Sequence, residues 1–245
     1  MRSAVPFLFL LLLSRSAFAQ RVDPTPVCDR DTIQVDHRDL KYGQVSNYRA
    51  IRCVQHSRIG LRLELGAAGF RYPAATRSLL GNHGSALLGW GLAYGKWNLG
   101  LRFRVWTLKP GRTLLVDNDT LNASAKLNPV TIDYTLGYSF DLPRGWSIEP
   151  YLGYSRRRLL VINEEELNKD IDFRTAKGLS AGLTVNKYVR TKNYTFLALF
   201  VRTGYAATDL ANMHPSLGRG YWEAAGGIAI KGFPKITYLK RVTGN

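Results

Sequence analysis

The chain alternates between apolar residues and small or polar residues along most of its length, in eight segments separated by turns. The alternation is clearest in segment 85–95, where Leu88, Trp90 and Leu92 hold even positions and small residues hold the odd ones. After a tight turn at Gly95, the apolar residues of the next segment hold odd positions instead. A period of two residues is typical of β-strands, because successive side chains point to opposite faces. The pattern therefore predicts a sheet with one apolar and one polar face.

The spacing of the segments predicts how the strands connect. The eight predicted strands cover 58–70, 85–95, 97–105, 129–140, 146–156, 177–187, 194–206 and 220–232. Connections after the second, fourth and sixth strands are short, whereas those after the odd-numbered strands are long. Short periplasmic turns and long external loops are the arrangement of outer-membrane barrels. An even number of strands in this arrangement predicts an antiparallel barrel that crosses the outer membrane, with both termini in the periplasm.

Two predicted strands carry local ambiguities. In the seventh strand both parities are apolar, and we expect the odd set, with Leu199 and Val201, to face lipid, which turns Arg202 inward. In the fifth strand, Pro150 has no N–H to donate to a neighbouring strand, and a closed barrel has no free edge where a proline is tolerated. We therefore expect a β-bulge at Pro150.

The first nineteen residues, 1–19, have the features of a secretory signal. Arg2 supplies the positive start, the run 7–13 is apolar, and Ala17 and Ala19 form a small-x-small cleavage site. The apolar run is shorter than the ~20 residues that a membrane-spanning helix needs. Without such a helix, a spanning structure must be a closed sheet. We therefore expect export through a cleaved signal peptide and residence in the outer membrane.

The segments outside the barrel are predicted to be a periplasmic N-terminal extension over 20–57, polar and irregular, and a C-terminal tail over 234–245. The alternative for the tail is a further strand at 236–242. Cys28 and Cys53 both lie in the extension. Two cysteines of an exported chain can oxidise, so a disulfide is expected, with two free thiols as the alternative.

Over 58–233 the chain resembles the small outer-membrane β-barrels of the OmpA/OmpX type, on the strand pattern and connection lengths given above. Its signal ends at Ala19 before Gln20 and resembles those of Bacteroidetes. The resemblance implies an all-β fold, an eight-stranded antiparallel transmembrane up-and-down barrel. The chain departs from the type at its end, because such barrels commonly finish on an aromatic residue, whereas here Phe233 is followed by twelve more residues.

Charged residues recur on the inward face of the predicted strands. An eight-stranded barrel is only wide enough for its own side chains to fill, and an unpaired buried charge is costly. The near balance of the two signs therefore predicts a paired network that plugs the lumen, and the alternative is a pore for small solutes. The residues of this predicted network are Arg62, Glu64, Arg102, Arg104, Asp133, Glu149, Arg202, Glu223 and Lys231.

The sequence His83-Gly84-Ser85, at the outer start of the second predicted strand, suggests an enzyme. A histidine near a serine can pair a base with a nucleophile, and the pattern is similar to the His-x-Ser element of outer-membrane lipid A deacylases. Its position early in the barrel and the inward parity of Ser85 fit those enzymes poorly. We expect no catalytic residue, cofactor or metal ion, with lipid A modification as the weaker alternative.

The chain is strongly basic, with a formal net charge of +16. The export signal and the absence of a basic aromatic platform argue against nucleic acid as the partner. We predict that Arg156, Arg157 and Arg158 contact lipopolysaccharide phosphates, because arginine's planar fork suits phosphate. A generally basic, solvated surface is the alternative. The expected role is structural or surface interaction (envelope integrity or loop-mediated binding) by a monomer in outer-membrane lipid, and the sequence identifies no surface ligand.

Overall fold

The structure is a computed structural model that describes residues 26–38, 45–116, 119–162, 173–192 and 195–242. The predicted signal segment lies outside these ranges. The strands are β1 (Val27–Arg38), β2 (Val45–His56), β3 (Ile59–Arg71), β4 (His83–Tyr94), β5 (Trp97–Val105), β6 (Leu114–Val116), β7 (Asp119–Leu121), β8 (Leu127–Tyr138), β9 (Phe140–Leu142), β10 (Trp146–Val161), β11 (Ala176–Lys192), β12 (Thr195–Asp209), β13 (Arg219–Gly232) and β14 (Lys235–Arg241). A short helix, α1 (Ala74–Leu80), follows β3.

Eight of these strands close into an antiparallel barrel. Around the ring the order is β11, β12, β13, β3, β4, β5, β8 and β10, and β10 pairs with β11 to close it. The first and last strands of the ring, β3 and β13, pair with each other from Arg71 against Trp222 to Leu61 against Gly232. The predicted all-β, eight-stranded antiparallel barrel is confirmed. β10 and β11 extend well beyond their predicted ends, to Val161 and Lys192.

The wall of the barrel is apolar outside and polar inside. On β3, the outward side chains of Leu61, Leu63 and Leu65 are between 54% and 65% exposed. Arg62 and Glu64, which lie between them, are buried. A water-soluble barrel would show the reverse, with its large apolar side chains inside. The period-two pattern of the sequence therefore separates a lipid-facing surface from a polar lumen.

The ambiguous seventh strand of the ring, β12, has the parity that the sequence analysis chose. Val201 is 68% exposed and Leu199 is 52% exposed, so the odd set faces outward. Phe200 and Arg202 are buried on the lumen side. The inward charge decides the parity here, because an arginine in contact with hydrocarbon would be far more costly than a buried phenylalanine.

The bulge expected at Pro150 is absent, which corrects that prediction. Tyr151 faces Gly137 of β8, and Ile148 faces Phe140 of β9. These two pairs keep one register, which places Pro150 opposite Tyr138, the last residue of β8, next to the break between β8 and β9. Because Pro150 has no N–H to donate, a gap in the partner strand accommodates it and no residue is inserted.

A second, three-stranded sheet continues from the end of the barrel that carries the short turns. Its order is β1, β2, β14, and all its pairs are antiparallel. The extension predicted to be irregular over 20–57 therefore contains a hairpin, and the strand considered for 236–242 is formed. The hairpin and the tail supply each other's backbone partners, because β2 pairs with both β1 and β14. This strand lies outside the ring, so the count of eight holds.

The predicted disulfide between Cys28 and Cys53 is present and joins β1 to β2. The two cysteines face each other in the strand register, and Tyr238 of β14 faces Cys53 from the other side. The bridge therefore fixes the hairpin against which the last strand of the chain pairs.

Residues from all four long connections pack together over the outer end of the barrel. α1 and the hairpin β6–β7 come from the first two, and a single 3-10 turn at Leu210–Asn212 comes from the last. Apolar side chains from these connections form one buried cluster with the top of the wall. This cluster, the cap, includes Leu79, Leu80, Leu108, Leu121, Leu127, Phe173, Leu210, Met213 and Leu217. The sequence pattern does not predict the cap, because these residues follow neither a strand period nor a helix period.

Removing the disulfide by Cys28→Ser together with Cys53→Ser is expected to loosen the second sheet and to leave the barrel folded. A bridge with a sequence separation of 25 stabilises by about 3 kcal/mol through loop closure. Trypsin should then cut faster at Arg49 and Arg52, which are exposed in β2. The heat-dependent gel shift of the barrel serves as the control. Unchanged cleavage rates, or loss of the gel shift, would contradict this expectation.

Candidate functional site

The lumen is organised around Glu64, an inward side chain of β3 that is 4% exposed. Arg202 Nη2 donates to both carboxylate oxygens of Glu64, at 2.9 and 2.8 Å. Arg62 Nη2 lies 2.8 Å from Oε1, and Arg102 Nε lies 3.5 Å from Oε2. One carboxylate therefore holds three guanidinium groups, which come from β3, β5 and β12. Charge-assisted hydrogen bonds of this kind are among the strongest that a protein makes.

Glu149 of β10 binds the other side of Arg62. Arg62 Nη1 lies 2.5 Å from Glu149 Oε2. The same oxygen accepts hydrogen bonds from Asn98 Nδ2 at 3.0 Å and from Ser139 Oγ at 3.3 Å. A buried ion pair is tolerated when further hydrogen bonds satisfy its atoms, and Asn98 and Ser139 supply them here.

Arg104 of β5 forms a second charged group nearer the cap. Its Nη2 lies 2.5 Å from Asp133 Oδ2 and 2.5 Å from Glu223 Oε2. Its Nε donates to Glu223 Oε1 at 3.0 Å. Asp133 lies on β8 and Glu223 on β13, so this one arginine links strands from separate parts of the ring.

Eight of the nine charges predicted for the lumen are buried, four of them basic and four acidic. Lys231 differs from the others. It is half-buried near the short-turn end, and its ammonium lies 5.4 Å from the centre of the Phe233 ring. Lys231 takes part in none of the ion pairs described above, so the eight buried charges form a neutral set without it.

The paired charges leave almost no free space in the lumen. The cavity beside them, lined by Arg62, Glu64, Arg102 and Glu149 among others, measures about 10 Å³. A cavity needs roughly 10–15 Å³ to hold one water molecule. At the level of these four residues the interior is therefore filled by side chains, and the cap covers its outer end. This arrangement joins strands across the lumen.

Arg157 does not lie where a lipopolysaccharide contact requires it, which corrects that prediction. Its side chain is 1% exposed, and its guanidinium lies 5.0 to 5.1 Å from the ring centres of Phe70, Tyr72 and Tyr221. The reason is that β10 continues to Val161, so the strand alternation extends through the three arginines. Positions 156 and 158 face outward and are exposed, whereas position 157 faces inward.

His83 belongs to the cluster around Arg157 and does not pair with Ser85. Arg157 Nη2 lies 3.1 Å from His83 Nε2, and arginine has no acceptor atom. His83 Nε2 must therefore accept this hydrogen bond, so the imidazole is neutral. The hydroxyl of Tyr72, in the loop beyond β3, lies 3.4 Å from the same nitrogen, and burial raises the pKa of its phenol.

Ser85 lies on the lumen side and is buried. Its Oγ has no hydrogen-bond partner among the described residues. The Nε2 lone pair of His83 that would serve as a base is already engaged by Arg157. The structure thus does not bring the two side chains of the His83-Gly84-Ser85 sequence together as base and nucleophile.

Sequence reasoning missed the aromatic cluster around Arg157, although part of its signal was present. Phe70 and Tyr221 have inward parity in the first and eighth predicted strands, so the alternation predicts that both side chains face the lumen. Tyr72 lies past the predicted end of its strand, and no period marks it. The predicted end of the fifth strand at residue 156 concealed the inward turn of Arg157.

A continuous outward belt of leucine, tryptophan and tyrosine surrounds this lumen of paired charges, and the ring has no free edge. Apolar patches of this extent are unfavourable in water, whereas a closed barrel satisfies every backbone group within lipid. The chain is a transmembrane β-barrel, the class found in bacterial outer membranes.

No helix in the described ranges has the length and apolar character needed to cross a membrane. The same residues contain no group of three or more His, Cys, Asp or Glu side chains placed to hold a metal ion.

No protein-family model and no curated protein matches the chain. Among solved structures it is similar to Neisserial surface protein A (TM-score 0.47, 13% identity, 72% of this chain and 97% of that one). It is also similar to OprG from Pseudomonas aeruginosa (TM-score 0.44, 10% identity, 71% of this chain and 95% of that one). A third similar structure is Ail of Yersinia pestis, solved with the heparin analogue sucrose octasulfate (TM-score 0.44, 9% identity, 71% of this chain and 97% of that one). The barrel assignment rests on the chain's own strand pairing and burial, and an origin in Bacteroidetes stays a prediction.

The substitution Glu64→Gln is expected to destabilise the barrel strongly. It leaves three buried guanidinium groups with one carboxylate fewer, and breaking a buried pair typically costs about 3–5 kcal/mol. Urea unfolding in detergent, followed by tryptophan fluorescence, measures the loss. The matched control is Asp209→Asn, which removes the 3.4 Å ion pair between half-buried Asp209 and exposed Arg219 at the outer end of the wall and should cost about 1 kcal/mol or less. Equal effects of the two variants would show that the network does not hold the strands.

Proposed function

We propose that this chain is an outer-membrane barrel with a closed lumen, which acts through its surface in envelope structure or in contact with other molecules. The observation that supports the proposal is the filled interior: eight buried charges are paired within it, and an apolar cap covers its outer end. A barrel built in this way presents its wall and its cap to the surroundings and keeps its lumen from them.

The proposed surface role includes contact with lipopolysaccharide phosphates through the outer rim. Arg156 and Arg158 are exposed and point outward from β10. They follow Tyr154, the last large outward side chain before them on the strand, which is 39% exposed. Outward arginines at this level lie next to lipid headgroups, where a guanidinium can bind phosphate with two parallel hydrogen bonds.

A closed lumen predicts that the purified protein does not conduct in planar bilayers. Single-channel recording at about 100 mV should show no lasting open state, because the paired charges and the cap block the path. A porin reconstituted in parallel is the control for insertion, and the heat-dependent gel shift shows that the tested protein is folded. Stable conductance steps in the folded wild-type protein would favour the small-solute pore.

Replacing Arg156 and Arg158 with Gln is expected to weaken lipopolysaccharide binding about tenfold, since two charge-assisted contacts are lost. Binding is measured by titrating delipidated protein in detergent with lipopolysaccharide. Lys240→Gln, which removes a charge from the second sheet at the opposite end of the molecule, is the control. Equal affinity of the double variant and the wild-type protein would remove the rim from the proposed function.

A further inference from the structure

Two cavities lie one above the other on the outside of the wall, at its outer end. The upper cavity has a volume of about 520 Å³ and is lined by Arg71, Tyr72, Pro73, Tyr205, Tyr221 and Trp222. The lower cavity, of about 460 Å³, lies one row of residues closer to the membrane centre and is lined in part by Gly69, Gly84, Thr203 and Ala224. Arg71 and Trp222 border both cavities. Both cavities are open depressions on the surface of the wall.

Strand pairing explains the shape of the lower cavity. Gly69 of β3 faces Gly84 of β4 on one side and Ala224 of β13 on the other. Ala224 in turn faces Thr203 of β12. Four small outward residues therefore form one row across four strands, about 14 Å wide at the spacing of neighbouring strands. Trp222 stands in the row above, so the row of small residues is the floor of a hollow.

The two glycines of this floor are not required by packing. A Cβ on Gly69 would lie 4.0 Å from the backbone oxygen of Ala224, and a Cβ on Gly84 would lie 3.5 Å from the backbone oxygen of Ala68. Both are ordinary van der Waals distances. In the lumen the opposite holds, because a Cβ on Gly89 would approach the Glu64 carboxylate to 3.1 Å. The lumen needs its glycine for space, whereas the outward glycines keep a hollow open on the lipid-facing side.

The upper cavity has different chemistry. Trp222 is 57% exposed and Tyr205 is 40% exposed, and their ring centres are 5.2 Å apart. Exposed aromatic faces suit the C–H face of a sugar ring, and nearby polar groups bind its hydroxyls. Arg71, the last residue of β3, is exposed between the two cavities. Arg71 faces Trp222, which faces Tyr205, so the guanidinium and the aromatic faces share one row, and the apolar hollow lies below them.

We propose that the two cavities form one binding site for lipopolysaccharide, with a lipid A sugar in the upper cavity, its phosphate on Arg71 and one acyl chain in the lower cavity. The proposal rests on the proposed function, because it places this end of the barrel in the outer leaflet. In lipid A the phosphates and the acyl chains are both attached to the sugar rings, so a sugar held by Tyr205 and Trp222 would place a phosphate beside it, next to Arg71, and acyl chains below it, toward the membrane centre. A phospholipid has phosphate and acyl chains and no sugar for the aromatic faces.

A second copy of this chain fits the surface poorly. Two barrels that met symmetrically on these cavities would bring their Arg71 side chains together, and like charges in a low-dielectric environment repel. An anionic lipid neutralises the same charge. Charge complementarity therefore favours a lipid over a dimer at this surface.

The test measures binding of three probes to delipidated protein in detergent: intact lipopolysaccharide, deacylated lipopolysaccharide and phosphatidylglycerol. Gly69→Leu fills the lower cavity, and Gly84→Leu is a second filling variant in case the first fails to fold. Arg71→Gln removes the charge. The matched control is Ala181→Leu, an outward small-to-large change on β11 that borders neither cavity. The gel shift verifies folding of each variant.

Gly69→Leu should weaken intact lipopolysaccharide about tenfold and leave deacylated lipopolysaccharide unchanged, because only the acyl chain loses its place. Arg71→Gln should weaken both forms, and Ala181→Leu should change neither. Phosphatidylglycerol should bind at least about tenfold more weakly than lipopolysaccharide. Equal binding of the two lipids, or unchanged binding by both filling variants, would overturn the proposal.

The same titrations separate this site from the rim arginines. If Arg156→Gln with Arg158→Gln weakens lipopolysaccharide while Gly69→Leu, Gly84→Leu and Arg71→Gln do not, the proposed function stands and the two-cavity site falls. If none of these variants changes binding, both fall.

Discussion

The shared carboxylate of Glu64 is the interaction on which the interior of this barrel depends. It binds arginines of β3, β5 and β12, and through Arg62 it is joined to Glu149 of β10. Burying ions carries a desolvation penalty of several kcal/mol each, so such a network is weak support for stability over an apolar core. Here the network specifies which face of each strand points into the lumen and which face meets lipid. An apolar lumen would make both faces of every strand apolar, and nothing would then decide which side meets lipid.

A filled lumen moves the chemistry of the molecule to its outer surfaces. The cap closes the same end of the barrel that carries the rim arginines and the two wall cavities. Arg157 connects these features from inside, because Tyr72 and Tyr221 pack around its guanidinium and also line the upper cavity. The buried arginine therefore supports the aromatic wall from behind, so the shape of that cavity depends on the lumen side of the barrel.

Most of the barrel is predictable from the sequence because its information is local. A period of two residues marks the strands, fixes their faces and selects the inward charges, so Arg104 and Asp133 were identified without knowing that they touch. Features that depend on distant contacts were not predictable in this way. The cap joins residues from separate loops, β14 is a strand only because β2 lies beside it, and the inward turn of Arg157 required the true end of β10.

The second sheet has a mechanical consequence for the ring. The barrel closes where its first strand, β3, meets its last, β13, and the segments immediately outside that seam, β2 and β14, are paired as well. Two residues connect β2 to β3, and two connect β13 to β14. Ser57 N, in the first connection, donates to Pro234 O, in the second, at 2.9 Å. Lateral opening of the barrel between β3 and β13 would therefore require breaking two successive sets of strand hydrogen bonds. The second set, between β2 and β14, involves a hairpin that is crosslinked by the disulfide.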